Sequence, residues 1–247
     1  MHTHQLINIA AVSLMFSLTA ATAQTAALPR TADGKPNVQG IWQASGTAAA
    51  DLQDHAARFN MPAGRSVVTG SIPYQPWAAA KKAENFQNRQ KDDPLGKCYI
   101  PGVPRVMYLD FPFQIFQTPQ VIAMTFEWSL DYRLIYTNGT PHPPDTDGWM
   151  GDSRGRWDGD TLVVDRVGFD PRVWLDIESH PHSDKLHIVE RYHRPDLGHL
   201  EIEITVDDPG VLAKPWTQKR LADLANEEIF EFICTENNRD IEHLVGK

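Results

Sequence analysis

From Phe113 onward the chain is a succession of short apolar-alternating runs, each closed by a turn signal, and almost no helical pattern interrupts them. "FQIFQTP" and "QVIAMTFEW" are β-branched and aromatic, and "YRLIYTNG", "WMGDSRGRW", "TLVVDRVGF", "KLHIVERYHRP", "HLEIEITVDDPG", "KPWTQKRLADLA" and "EEIFEFIC" continue the series. Thr-Pro-Gln, Asn138-Gly139, "DGD" and "DLG" separate them. Upstream, "VQGIWQAS" supplies one more strand. Sequential strands joined by short turns favour an antiparallel meander, and a meander this long closes on itself to remove its edges. The expected fold is all-β, an up-and-down barrel of about nine or ten strands, with a two-sheet sandwich as the alternative. Residues 46–112 are the exception. "DLQDHAARF" and "QPWAAAKKAENFQNRQKDD" read as helical, and "PLGKCYIPGVPRVMYLDFPF" as Pro-rich and irregular, an insertion able to cap one barrel end.

Strand side chains alternate, so parity assigns faces. In "HLEIEITV", Leu200, Ile202, Ile204 and Val206 face inward, and His199, Glu201, Glu203 and Thr205 outward. In "LHIVERYH", Leu186, Ile188 and Tyr192 share the inner face with Glu190, whereas His187, Val189, Arg191 and His193 take the outer one. A carboxylate among inward apolar groups must find a cation, hydrogen bonds or a proton. It is either the acid–base group of a site or the partner of an inward arginine. In "WMGDSRGRW" parity is undecided between Met150/Asp152/Arg154/Arg156 and Trp149/Gly151/Ser153/Gly155/Trp157, and one of Asp165 and Arg166 has to lie on a semi-buried face.

His180 and His182, in "SHPHSD", fall on the loop before this strand, at a barrel mouth. Imidazoles there suit proton transfer near neutral pH. The plainer alternative is two exposed loop histidines. A metal on His180 and His182, completed by Glu190 or Asp176, is disfavoured by the intervening Pro181 and by the outward His187, so no metal is expected. No nucleotide-binding loop, dinucleotide fingerprint or nucleophile elbow is present, and no cofactor is expected. The residues singled out are Glu190, His182 and His180 as catalytic, with Tyr192, Asp152, Arg154 and Trp149 as substrate-binding.

Leu6 to Leu18 is almost wholly apolar, and Ala-Thr-Ala at 21–23 precedes Gln24. That is the pattern of a signal peptide over 1–23, leaving 24–247 as one barrel domain in the periplasm or outside the cell. In an oxidising compartment the two cysteines, Cys98 and Cys234, are expected to pair, and a loop that long contributes roughly 4–5 kcal/mol; the alternative is two buried free thiols. The formal net charge of −9 argues against nucleic acid and anionic membranes as partners. The expected partner is a small, largely apolar organic molecule. Oligomeric state is left open.

Two resemblances add to this. "ADGKPNVQGIWQ", with Gly40 and Trp42, resembles the first strand of lipocalin-type barrels, in which the Trp packs across the closed end. "DPLGKCYIPGVPR", "GRWDGDTLVVDRVGF", "HPHSDKLHIVERY", "TVDDPGVLAKPW" and "CTENNRD" together resemble a set of secreted bacterial proteins. That likeness implies one intact domain with both cysteines belonging to the fold, and it brings no activity with it. The reading is an exported, cofactor-independent acid–base enzyme of the lyase, isomerase or dehydratase type. The alternative is a non-catalytic periplasmic carrier of a hydrophobic ligand.

Overall fold

A computed structural model describes residues 27–57, 62–129 and 131–236. The expected signal segment at 1–23 lies outside them. Nine strands close into a barrel in sequence order: β1 Gly40–Ala44, β2 Phe113–Gln117, β3 Val121–Phe126, β4 Tyr132–Tyr136, β5 Asp152–Asp158, β6 Thr161–Val167, β7 His187–His193, β8 His199–Asp207 and β9 Trp216–Leu224. β9 returns to β1 through Trp42↔Leu224 and Ala44↔Ala222.

The alternation in the sequence is realised in space. Leu200, Ile202, Ile204 and Val206 of β8 are all buried, with Ile188 and Tyr192 of β7 and Leu162 and Val164 of β6 beside them. Trp42 is fully buried and its indole N–H donates to the Val38 carbonyl at 3.1 Å.

One pairing departs from the up-and-down expectation. β4 and β5 run parallel, through Ile135↔Ser153 and Tyr136↔Arg154. The connection 137–151, with Pro141, Pro143 and Pro144, is long enough to run back along the barrel, so β5 starts at the end where β4 started. The barrel is therefore mixed rather than purely antiparallel.

"EEIFEFIC" forms no strand; among the described residues its ladder contact is an isolated bridge, Phe232 to Trp128. Of the two expected helices, α1 Pro76–Gln87 forms, extended by a short α2 Arg89–Asp92. "DLQDHAARF" does not, over its described part. There Asp51 accepts from Gln53 N (2.8 Å) and Asp54 from Ser66 N (2.7 Å), giving the backbone partners outside a helix.

The register puts several connections at one end: the β3–β4 and β8–β9 turns, the long β6–β7 loop, and the start and finish of the 45–112 insertion. The insertion caps that end. Lys219 N donates to Val67 O (3.1 Å), Gln75 N to Val211 O (2.8 Å) and Ala213 N to Pro73 O (2.8 Å). α1 reaches the β6–β7 loop through Asn85 Nδ2 to Ser179 O (3.4 Å) and Lys82 to Glu178 (3.4 Å). Inside the cap, Arg105 grips Asp93 with two hydrogen bonds of 2.8 and 2.9 Å, both residues fully buried. The Cys98–Cys234 disulfide, with Cα atoms 5.4 Å apart, ties the cap to the segment after β9. It sits against Leu95, Trp128, Phe111 and Phe232. A disulfide of this kind fits an oxidising location outside the cytosol, and no helix of the described residues is long and apolar enough to cross a membrane.

Candidate functional site

The β6–β7 loop folds back under the cap, so both histidines of "SHPHSD" are buried rather than exposed. Its turn is organised by one carboxylate. Asp176 accepts from the His180 backbone N–H (3.3 Å) and faces His180 Nδ1 at 2.5 Å, while Leu175 N closes the turn onto His180 O at 2.9 Å. Against a carboxylate Nδ1 is the donor, which leaves Nε2 as the ring nitrogen turned away from Asp176. That Nε2 is buried and has no hydrogen-bond partner. Tyr74 stacks on the ring, centroids 5.8 Å apart and planes 9° off parallel. Burial alone would raise the Asp176 carboxyl; the charge and hydrogen bonds of His180 bring it below the usual range. Burial pushes the Tyr74 and Tyr108 hydroxyls up, with the charge of Asp176 adding to both. The phenol oxygens of Tyr74 and Tyr108 have no partner either. Asp51, Asp176 and His180 each offer an atom within 4.8 Å of the others, the one group of described residues with metal-ligand geometry.

His182 points elsewhere. Its Nδ1 donates to the Ser183 carbonyl at 2.9 Å, its Nε2 is unpartnered, and Phe169 meets it edge-on at 6.3 Å. Burial lowers its pKa, favouring the neutral ring. His182 lines an open cleft of about 400 Å³ with Trp77, Tyr99, Trp149, Arg172 and Trp174. Trp149 packs on Tyr99 at 5.2 Å and under Arg172 at 4.7 Å.

The lumen holds the second polar group. Glu190 is inward and fully buried, as parity requires, while His187 and His193 lie on the outer wall. Arg133 of β4 donates to both Glu190 oxygens, at 3.2 and 3.0 Å, and to the Tyr192 hydroxyl, which itself donates to Glu190 at 2.8 Å. Arg166 of β6 adds a charge contact at 3.6 Å. Burial alone would raise the Glu190 carboxyl, but these two arginines, with the Tyr192 and Arg133 hydrogen bonds, hold it below the usual carboxylate range. The need for a cation is met by an inward arginine pair, and the group is an anion at neutral pH. Proton donation by Glu190 is thereby opposed. No hydrogen bond joins Glu190 to either histidine; Arg166 and His182 share only the ring of Phe169.

Asp152 and Arg154 do not face the lumen. β5 turns Ser153 and Gly155 inward, and on the outer wall Asp152 binds Arg154 (2.7 Å) and His142 (2.6 Å). Small residues inside and charges outside is the cheaper of the two parities. Trp149 belongs to the outer cleft with His182, apart from the lumen. Asp176, Tyr74, Tyr108, Arg133 and Arg166 take part in these arrangements, and sequence reasoning singled out none of them as catalytic or substrate-binding. For Arg133 the pattern misleads: in "YRLIY" the more apolar parity is Tyr132, Leu134 and Tyr136, yet Tyr132 is 65% exposed and Arg133 is buried. Compared with protein-family models, with curated proteins and with solved structures, the chain matches none.

Proposed function

We propose that this protein is an exported enzyme that performs acid–base chemistry on a small organic molecule, of the lyase, isomerase or dehydratase type, beneath the cap of its barrel. The observation that carries the reading is the Asp176–His180 pair, whose carboxylate fixes the ring and leaves Nε2 unpartnered. His180 is the proposed base. Tyr74 and Tyr108 are hydroxyls available to hydrogen-bond substrate, and Glu190 is assigned to charge placement rather than proton transfer. Export is supported by the disulfide and by the apolar run Leu6–Leu18. The carrier reading has one observation in its favour: Asp176 and His180 are fully buried, so a molecule reaching them must part the cap and would be enclosed.

Solvent-deuterium incorporation into a panel of small organic acids, hydroxy acids and ketones, followed by NMR, separates the two readings. His180→Gln is expected to slow exchange by roughly 10²–10⁴-fold, while His187→Ala and His193→Ala leave it unchanged. Ligand binding without any His180-dependent exchange would make the protein a carrier.

A further inference from the structure

Arg166 is fully buried, and none of its three nitrogens makes a hydrogen bond. The nearest anion, Glu190, is 3.6 Å away and is already engaged by Arg133 and Tyr192. A distance of 3.6 Å is a charge contact, not a hydrogen bond. Gln218 of β9 is likewise fully buried with both amide atoms unpartnered, and the Trp216 indole N–H has no acceptor. These groups share one region. The register aligns Val164, Glu190, Ile204 and Gln218 in one inward row, and Arg166, Ile188, Val206 and Trp216 in the next. Buried polar groups are almost always hydrogen-bonded, and a guanidinium with no acceptor is the costliest exception. Three orphan donors on two adjacent rows therefore mark a place for an acceptor. Arg133 and Arg166 face the single carboxylate of Glu190, so these three groups carry one positive charge in excess.

We propose that the capped end of the lumen binds the carboxylate of a small organic acid, with Arg166 and Gln218 donating to its oxygens. A guanidinium presents a planar fork that matches a carboxylate in two bonds. One excess positive charge balances a monoanion and falls short of a phosphate dianion. Phe169, whose ring lies 5.4 Å below the Arg166 guanidinium, and the apolar Ile188, Ile204 and Val206 suit the hydrocarbon part of such an acid. This goes beyond the enzyme reading by placing an anion anchor in the lumen, and it rests on that reading only in taking a small molecule to enter the barrel.

The test uses the full disulfide-bonded protein with benzoate and hexanoate as probes, and benzamide and hexanamide as matched neutral controls. Binding is followed by calorimetry, with tryptophan fluorescence as a second readout. The acids are expected to bind at least roughly tenfold more tightly than the amides, as a charge-assisted hydrogen bond predicts. Arg166→Met is expected to abolish that preference. Should this variant fail to unfold cooperatively, Gln218→Leu, which leaves every charge in place, is expected to weaken acid binding alone. Equal affinity for acids and amides overturns the proposal. So does the absence of acid binding, which would assign the orphan donors to buried water. Acid binding without His180-dependent deuterium exchange upholds this site and sinks the enzyme reading; exchange on compounds that lack a carboxylate, without acid preference, does the reverse.

Discussion

Replacing Glu190 by Gln keeps the side chain's shape and removes its charge. Arg133 and Arg166, both fully buried, then face one another's charge without the anion that each contacts at 3.0 and 3.6 Å. Breaking one buried ion pair by removing a partner costs about 3–5 kcal/mol, because the remaining charge stays desolvated and uncompensated. Glu190→Gln leaves two such charges, and the amide retains a hydrogen-bond acceptor for Arg133, so the expected loss stays at about 3–5 kcal/mol. Urea unfolding at pH 7 measures it. The dependence on pH gives a second check. The folded-state pKa of Glu190 lies below its ordinary value of 4.5, so the unfolded chain takes up the proton first. Its contribution is complete above the unfolded pKa and is lost as pH falls through the folded one. The stability gap between the wild type and Glu190→Gln should therefore be constant from pH 7 down to about pH 5 and shrink on further acidification. A loss under 1 kcal/mol at pH 7, or a gap that widens in acid, would refute the claim that the carboxylate is the ionised partner of both arginines.

Trp42→Ala should destabilise the protein by about 3–5 kcal/mol, as deletion of a fully buried aromatic does, measured by the same unfolding experiment. Intact mass of the unreduced protein after alkylation should show no modified thiol at Cys98 or Cys234, and two after reduction.

Most of the barrel was legible because alternation on a two-faced strand leaves little choice. β8 states its inner face four times over, and β7 carries Glu190 inward with Ile188 and Tyr192. Where both parities were amphipathic the pattern left the inner face open, as in β5, or pointed the wrong way, as in β4. The direction of β5 was not legible either: strand content does not say whether a connection returns along the wall, and the parallel pairing follows from the 137–151 crossing. The candidate site was half legible. The histidine pair and the inward carboxylate stood out by residue type. What surrounds them did not, because Arg133 and Arg166 meet Glu190 from other strands, Tyr74 stacks on His180 from the cap, and Tyr108 lies within the field of Asp176. The plainer alternative, two exposed loop histidines, fails for the same reason: burial of a loop depends on what is folded over it, here an insertion that begins more than a hundred residues upstream.

The disulfide also changes how the barrel comes together. Its last seam joins β1 to β9, strands separated by roughly 180 residues along the backbone, which makes it the most distant pairing of the fold. Through the Cys98–Cys234 bridge the path between Trp42 and Leu224 shortens to about 65 residues, and the closure entropy falls by about 1 kcal/mol. Once the bridge has formed, β2 to β9 are carried on a covalent ring, and only the segment leading to β1 remains an open arm that has to find its two neighbours. An oxidised chain is thus primed to close its seam several times faster than a reduced one. The bond that fastens the cap in the finished molecule also shortens the search that completes the wall.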